Sequence, residues 1–324
     1  MKKGTIFMLI IIVLLVFGGT ALFAGGEKEA REGAVENAGK FEGAGLGYKF
    51  YIITHGSQGD SVFAVMKRGV DDAAELYGCD VQMLLSEGDT AKQVDMIEQA
   101  ISANPDGIGT TITDPEAFDE VIQKAIDKGI PVISFNNDDS ETPNARLAYV
   151  GADLRQDGYD LGKAMQQYFS AGDHVVIPEE VPGAFYAVAR ASGIKRAMEE
   201  IGVTTEELDA GYELATCTAR ISAYMQGHPE TDGIVCVGGL TTDASAVVVD
   251  DMNVSGKVVI GGSDLLPNTI EGLKRGDVKA TLDQQLYLQT YYTVVQLAMA
   301  NFGQFTPVNM NTSKGIITPD NVEE

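Results

Sequence analysis

The chain has 324 residues, of which 47 are Asp or Glu and 23 are Lys or Arg, so its formal net charge is −24 at neutral pH. A surface this acidic repels nucleic acid and anionic lipid and favours solubility, and it argues against a polyanionic ligand. The three cysteines have no CxxC spacing and the three histidines lie far apart in sequence. We therefore expect no disulfide framework, no metal site and no cofactor.

The first residues have the pattern of a secretory signal. Lys2 and Lys3 precede an unbroken apolar run from Ile6 to Phe17, and small residues lead to Ala24, as in a signal peptide. We predict a signal peptide over 1–24, and its removal with two lysines leaves 300 residues and a charge of −26. The alternative is an uncleaved anchor, since a span needs roughly 20 apolar residues. We expect a periplasmic or extracytoplasmic protein.

The next segment, residues 25–45, consists mainly of Gly, Ala, Glu and Lys without apolar periodicity. This composition is typical of a flexible tether rather than of packed structure. A mature chain of 300 residues exceeds the roughly 250 residues that one hydrophobic core serves. The sequence therefore predicts two lobes.

From Tyr48 onward, short runs rich in β-branched residues alternate with stretches that have apolar residues at helical spacing. The predicted strands of the first half are YKFYIIT, DVQMLL, GIGTTIT and IPVISF. A second series follows LAYVGAD, with strands at HVVIP, DGIVCV and KVVIGG. Repeated βα units predict an α/β fold of two similar lobes, each a parallel sheet with helices on both faces.

Two fragments match between the halves, ISANPDGIGTTITD at 101–114 and YMQGHPETDGIVCVGGLTTD at 224–243. Each ends a helix, turns at a proline, enters a strand through Asp-Gly-Ile and leaves it at Thr-Thr. We interpret them as the third strand of each lobe; the alternative is chance recurrence of a common turn. Because ligands of open α/β sheets lie outside the carboxyl ends of the strands, residues just after strands are the candidates for function.

Six segments, taken in their order and spacing, resemble the type I periplasmic binding proteins of sugar ABC importers, particularly the ribose-binding-like group. The resemblance extends from about Tyr48 to Val322. The segments are THGSQGDSVFAVMKRG, PVISFNND, YVGADLRQDGYDLG, VARASGIKRAM, VVIGGSDLLPN and ATLDQQLYLQTY.

The resemblance implies that three hinge strands join the lobes, near Gly151–Asp153, Leu282–Gln284 and Thr306–Asn311. It also implies that the N-terminal lobe regains a helix, Leu286 to Phe302, from late in the sequence. The expected boundaries are 46–152 plus 284–308 for the N-terminal lobe and 153–283 plus 309–324 for the C-terminal lobe.

A monosaccharide offers vicinal hydroxyls and an apolar C–H face, so its site needs planar bidentate side chains and an aromatic ring. The resemblance places a hydroxyl-binding group at Asp60, where relatives usually have Asn, and a stacking ring at Phe63. The alternative roles are a helix N-cap for Asp60 and core packing for Phe63. Since the chain has no Trp and Val62 replaces a common aromatic, stacking depends mainly on Phe63.

After the fourth strand, Asn136 and Asn137 match a site where relatives often have Asp-Arg. Without that acid–base pair this half of the cleft is neutral, which suits an uncharged sugar. The alternative is that the two asparagines only form a turn.

In the other lobe, Arg190 in R-x-x-G matches the family's arginine for ring oxygen and hydroxyls. Asp264 in GGSD matches a hydroxyl-binding carboxylate, and Gln284 in ATLDQQ matches the glutamine beside the second hinge. A surface arginine and an N-cap for a helix near Pro267 are the alternatives for Arg190 and Asp264.

Four further positions match the family only weakly, and we do not count them among the expected binding residues. His55 follows the first strand, and the loop Leu240–Asp243 replaces a segment that usually contains Asn. Tyr212 and Cys217 lie where relatives contribute another aromatic.

The resemblance implies a monomeric receptor for a pentose, hexose or deoxysugar, which closes by its hinge and presents the sugar to a membrane permease. The alternative is a signalling receptor for a sugar or a furanosyl autoinducer, without transport. Asp60 and Asp264 could mimic the acid pair of a sugar-processing enzyme, but no nucleophile elbow or metal set accompanies them, so we expect no enzyme. A sugar-responsive repressor has this fold, yet the export signal and the lack of a basic helix-turn-helix argue against it.

Overall fold

The computed structural model describes residues 45–59, 61–138, 143–303, 305–313 and 315–323. The predicted signal peptide and nearly all of the predicted tether lie outside the described residues. Within the described residues, no helix combines the length and apolar character needed to span a bilayer.

The described elements alternate between strand and helix along the chain. The first half contains β1 (Lys49–Thr54), α1 (Ser61–Tyr77), β2 (Asp80–Leu85), α2 (Thr90–Ser102), β3 (Gly107–Thr110), α3 (Pro115–Asp127), β4 (Val132–Asn136) and β5 (Ala148–Gly151). The second half contains α4 (Leu154–Met165), β6 (His174–Glu179), α5 (Phe185–Glu199), β7 (Thr204–Asp209), α6 (Leu214–Gly227), β8 (Gly233–Val235), α7 (Gly239–Asp251), β9 (Val259–Ser263), α8 (Pro267–Arg275) and β10 (Val278–Asp283). The chain then forms α9 (Leu286–Gly303), β11 (Met310–Asn311) and β12 (Gly315–Ile317).

The strands assemble into two six-stranded sheets of corresponding order, β11-β5-β4-β3-β1-β2 and β12-β10-β9-β8-β6-β7. The pairings are parallel except that β12 runs antiparallel to β10. We call each sheet with its helices a lobe. The predicted fold class is confirmed.

The two matching sequence fragments lie at corresponding places in the two lobes. Strand β3 lies between β4 and β1, and β8 lies between β9 and β6, so both are third strands as predicted. The Thr-Thr pairs do not correspond, however. Thr110 ends β3, whereas Thr241 and Thr242 lie in α7, beyond a glycine pair that starts the helix three residues after β8.

Alternation of side chains along the strands divides each lobe into two apolar cores. In β1, Phe50 and Ile52 pack under α1 and α9, whereas Ile53 faces α2 and α3. In β6, Val175 and Ile177 pack under α4 and α5, whereas Val176 faces the helices on the opposite side. Because both faces are covered, the central strands read as continuous apolar runs.

The chain passes between the lobes three times, after β5, after β10 and after β11. The first two passes fall at the expected hinge segments. The third follows Asn311, at the end of the range 306–311 expected from the sequence. The polypeptide thus joins the lobes through three neighbouring strands, the connection on which such folds bend.

Helices α4 and α5 cross so closely that only glycine fits at the contact. A Cβ atom on Gly158 would lie 2.2 Å from the carbonyl oxygen of Arg190, and one on Gly193 would lie 2.4 Å from that of Arg155. The glycine of the R-x-x-G motif is therefore a packing residue. Its role is to hold α5, and with it Arg190, against α4.

Candidate ligand-binding cleft

The carboxyl ends of both sheets face a common cavity, which is lined by residues of both lobes. Six of the seven residues expected from the sequence line this cavity; they are Phe63, Asn136, Asn137, Arg190, Asp264 and Gln284. The seventh, Asp60, lies outside the described residues. The structure thus brings together side chains that are up to 221 positions apart, because parallel strands of each lobe end at the same edge.

A chain of hydrogen bonds links three of these residues. Arg190 donates from Nη2 to Oε1 of Gln284 at 2.8 Å, and from Nη1 to the carbonyl oxygen of Val237 at 3.0 Å. Gln284 in turn donates from Nε2 to both carboxylate oxygens of Asp264, at 2.9 and 3.0 Å. Since Arg190 is only 4% exposed and Asp264 only 3%, the network fixes a guanidinium cation and a carboxyl group inside the protein.

Asp264 occupies a special backbone position. Its φ angle is 68°, in the left-handed region that few residues other than Gly, Asn and Asp adopt. Residue Leu266, not Asp264, is the N-cap of α8, so the alternative role of Asp264 as a cap is not seen. Burial raises its pKa to about 7, although Arg190 and the bonds from Gln284 oppose that rise.

Asp157 forms an ion pair with Arg190, and it was not among the residues expected from the sequence. Its Oδ2 lies 3.9 Å from Nη2 of Arg190, and its Oδ1 accepts a hydrogen bond from Ser313 at 2.7 Å. Burial raises the pKa of Asp157, whereas Arg190 lowers it. The spacing G-A-D-L-R-Q-D placed this acid on a helix, but only the close crossing of α4 and α5 buries it.

The first lobe contributes neutral amides. Asn136 ends β4 with a φ of 60° and donates from Nδ2 to Oε1 of Gln289 at 3.0 Å. Asn137 is 1% exposed, and among the described residues neither its Oδ1 nor its Nδ2 has a hydrogen-bond partner. A buried amide without partners costs about 1–3 kcal/mol. Asn137 therefore has an amide free to bind a polar ligand.

Aromatic rings line the same cavity. The ring of Phe63 meets the imidazole of His55 edge-on, with 5.2 Å between centroids, and Tyr186 of the second lobe stacks near His55 at 6.3 Å. Burial lowers the pKa of His55 to about 4, so the imidazole is neutral near pH 7. This wall offers an apolar surface to the C–H face of a ligand.

Glu180 also lines the cavity and was not among the residues expected from the sequence. It directly follows β6, is 5% exposed, and accepts hydrogen bonds at Oε1 from the backbone N–H and the hydroxyl of Thr241, both at 3.0 Å. Burial raises its pKa, and the bonds from Thr241 lower it. The rule that sites follow strands could have found it.

The two lobes touch on both sides of the cavity. The hydroxyl of Tyr212 donates to the carbonyl oxygen of His55 at 3.4 Å, and the N–H of Phe185 donates to the carbonyl oxygen of Thr113 at 3.3 Å. The structure is therefore a closed form.

Three of the positions that match the family weakly, His55, Tyr212 and Leu240, line the cavity. Asp243 instead accepts hydrogen bonds from the backbone N–H groups of Asn268 and Thr269 in α8.

Residues 50–304, which contain both halves of the cavity, match the periplasmic binding protein domain family. The chain belongs to this family. The resemblance of this periplasmic binding protein that was inferred from the sequence is thereby confirmed.

Solved and curated relatives of this periplasmic binding protein have sugar-binding names. A periplasmic sugar binding protein of an ABC sugar transporter from Legionella pneumophila is 34% identical, with a TM-score of 0.75 over 82% of this chain and 100% of that one. The xylose/arabinose-binding protein XylF of Sulfolobus acidocaldarius is 29% identical over 85% of this chain and 72% of its own length. The D-ribose/D-allose-binding protein of Pseudomonas aeruginosa is 28% identical over 68% and 70%, respectively.

Proposed function

We propose that this periplasmic binding protein is the extracytoplasmic component of an ABC importer and that it encloses one neutral monosaccharide between its lobes. The ligand class comprises pentoses, hexoses and deoxysugars. The expected binding residues are Asp60, Phe63, Asn136, Asn137, Arg190, Asp264 and Gln284.

One observation carries the proposal: in the closed form, the cavity is lined by polar groups that have no hydrogen-bond partner in the described part of the chain. Besides the amide of Asn137, Nε of Arg190 is buried without a hydrogen-bond partner among the described residues. Sugar hydroxyls are both donors and acceptors, so one ligand can satisfy a free amide oxygen, a free amide N–H and a guanidinium N–H together. An apolar ligand would leave all three groups unsatisfied.

The names of the relatives favour sugars over other small polar ligands, since the proteins from Sulfolobus and Pseudomonas are named for pentoses and for ribose or allose. The buried acids oppose an anionic ligand. Three carboxyl groups, those of Asp157, Glu180 and Asp264, lie near the buried guanidinium of Arg190. A sugar acid would add a further negative charge to this low-dielectric space.

Hinge bending at the three passes between the lobes explains how the ligand enters. Opening would break the contacts of Tyr212 with His55 and of Phe185 with Thr113 and expose the cavity. Binding then shifts the population toward the closed form, because only that form lets both lobes contact the sugar. The closed pair of lobes is the surface that we expect a permease to bind.

Calorimetric titration of residues 25–324 tests the ligand class. We expect one or a few of D-xylose, L-arabinose, D-ribose, D-allose, D-galactose and the deoxysugar L-fucose to bind with a micromolar dissociation constant, which corresponds to roughly −8 kcal/mol. Glucuronate and a panel of amino acids serve as controls and should not bind. Binding of an amino acid but of no sugar would contradict the ligand class.

A second measurement separates transport from signalling. In the source cell, deletion of the gene should abolish uptake of the radiolabelled sugar that binds best, and the full-length gene should restore it. Unchanged uptake together with a lost transcriptional or chemotactic response would favour the signalling receptor. Mass spectrometry of the exported protein should find Gly25 as its first residue, whereas an intact Met1 would show an uncleaved anchor.

A further inference from the structure

Glu180 has a carboxylate oxygen that is positioned to accept a hydrogen bond from a ligand. Both of its hydrogen bonds from Thr241 go to Oε1, whereas Oε2 accepts a side-chain hydrogen bond, within the part of the chain that the structure describes, from the hydroxyl of Tyr186 at the limiting distance of 3.5 Å. A carboxylate oxygen has two lone pairs. Oε2 is therefore held in a fixed place in the cavity wall with capacity to accept another hydrogen bond.

The surrounding backbone is shaped to admit this carboxylate beside a second one. A Cβ atom on Gly238 would lie 2.2 Å from Oε1 of Glu180, and a Cβ atom on Gly239 would lie 2.7 Å from Oδ2 of Asp264. Consecutive Cα atoms are about 3.8 Å apart. Two buried carboxylates thus approach one glycine pair, close enough for a single small ligand to touch both.

The first turn of α7 also favours the charged form of Glu180. Thr241 lies in that turn, where backbone N–H groups have no partner inside the helix and the helix dipole stabilises a negative charge. A charged acceptor forms a stronger hydrogen bond with a hydroxyl than a neutral one does.

We propose that Glu180 is a second hydroxyl-binding carboxylate, which accepts a hydrogen bond from a ligand hydroxyl at Oε2 and so helps to determine which monosaccharide the cleft selects. This inference rests on the proposed function. Asp264 and Glu180 then contact two hydroxyls of one sugar from the same side, and an epimer that turns one of these hydroxyls away loses a charge-assisted hydrogen bond. A purely structural role, as a cap for α7, is the competing explanation.

Glu180→Gln distinguishes the two roles. The glutamine retains an oxygen for Thr241, so the cap persists, but it replaces the second acceptor by an NH2 donor. Glu179→Gln is the matched control: Glu179 is the preceding residue, equally buried, and does not line the cavity. The probes are the sugar of the titration panel that binds most tightly and each of its monodeoxy derivatives.

For the wild-type protein, we expect the loss of one particular hydroxyl to weaken binding about tenfold or more. Glu180→Gln should weaken binding of the parent sugar about tenfold to a hundredfold and should no longer discriminate against that one derivative. Its melting temperature without sugar, and all affinities of Glu179→Gln, should match those of the wild type.

Two results would overturn the role of Glu180. One is parent-sugar affinity within a factor of about two of wild type; the other is equal weakening for the parent and every derivative, which is the signature of the cap. Should the variant fold poorly, a crystal structure of the wild-type protein with the sugar decides, since a hydroxyl must lie about 2.5–3.0 Å from Oε2. No binding of any panel sugar to the wild type would instead contradict the proposed function, and the role of Glu180 with it.

Discussion

The two lobes present different kinds of side chain to the ligand cavity. The first lobe presents neutral groups, the amides of Asn136 and Asn137 and an uncharged His55, and the amide of Asn137 is buried without a hydrogen-bond partner among the residues that the structure describes. The second lobe presents two ionisable groups that are joined through an amide: Arg190 donates a hydrogen bond to Gln284, and Gln284 donates one to Asp264. Burying an unpaired neutral group costs much less free energy than burying an unpaired ion.

Removing the cation of the second lobe should have the largest effect. Arg190→Ala leaves the carboxylates of Asp157 and Asp264 buried without their counter-charge, and loss of one partner of a buried pair costs about 3–5 kcal/mol. We expect chemical denaturation to show that loss in the free energy of unfolding, together with loss of sugar binding. Arg155→Ala, on the exposed side of the same helix crossing, is the control. Equal stability of the two variants would contradict the ionic network.

The pH dependence of stability should reveal the buried acid of the same half. Since the pKa of Asp264 is about 7 in the folded protein against its ordinary 3.8, the unfolded chain releases this proton at lower pH than the folded chain does. The free energy of unfolding should therefore fall as the pH rises from about 4 to about 7, by at most about 4 kcal/mol from this group. Asp264→Asn should flatten the curve of melting temperature against pH, and parallel curves would refute the assignment.

Loosening the helix crossing tests how the second half is held. Gly193→Ala forces a methyl group to 2.4 Å from the carbonyl oxygen of Arg155, and such overpacking costs about 1–3 kcal/mol. Because the helix shifts, sugar affinity should fall as well. Gly227→Ala is the matched control, since a Cβ atom there meets nothing within 4 Å. Equal melting temperatures for both variants would show that the crossing adapts.

The neutral half should respond in the opposite sense. Asn137→Ala removes a buried amide that has no hydrogen-bond partner within the described ranges, so the melting temperature without sugar should stay the same or rise. Sugar affinity should fall about tenfold, because the ligand loses its hydrogen bonds. Asn136→Ala should lower both quantities, since it also breaks the bond to Gln289. A lower melting temperature of Asn137→Ala would show that this side chain has a structural role.

Much of this arrangement was predictable, because parallel strands end at one edge and the polar residues that follow them must meet there. Asn136 and Asp264 are found in the cavity for that reason, whereas Phe63 lies in helix α1 and was expected there from the family resemblance. The prediction that both Thr-Thr pairs end a strand was wrong, because the pair lies at the end of a strand in one lobe and inside a helix in the other. Local spacing does not record how soon a helix follows a strand.

Residues whose surroundings come from distant segments escaped the sequence. Asp157 lies on the first turn of a helix like any surface acid, and it is buried only by the glycine-mediated approach of α5 and by Ser313, 156 residues away. Glu180 follows an identical residue, so its position toward the cavity depends on how β6 ends and on Thr241. Neither set of contacts produces a recognisable pattern in the sequence around Asp157 or Glu180.

The two contacts at the mouth of the cleft have a consequence for affinity. The hydrogen bonds Tyr212–His55 and Phe185–Thr113 join one lobe to the other, so they raise the fraction of molecules that are closed before any sugar arrives. Apparent affinity scales with that fraction. Phe185 and Thr113 are not among the residues that line the cavity, so a change that weakens their contact should multiply the dissociation constants of all sugars by one factor. The strength of capture can thus evolve separately from the choice of sugar.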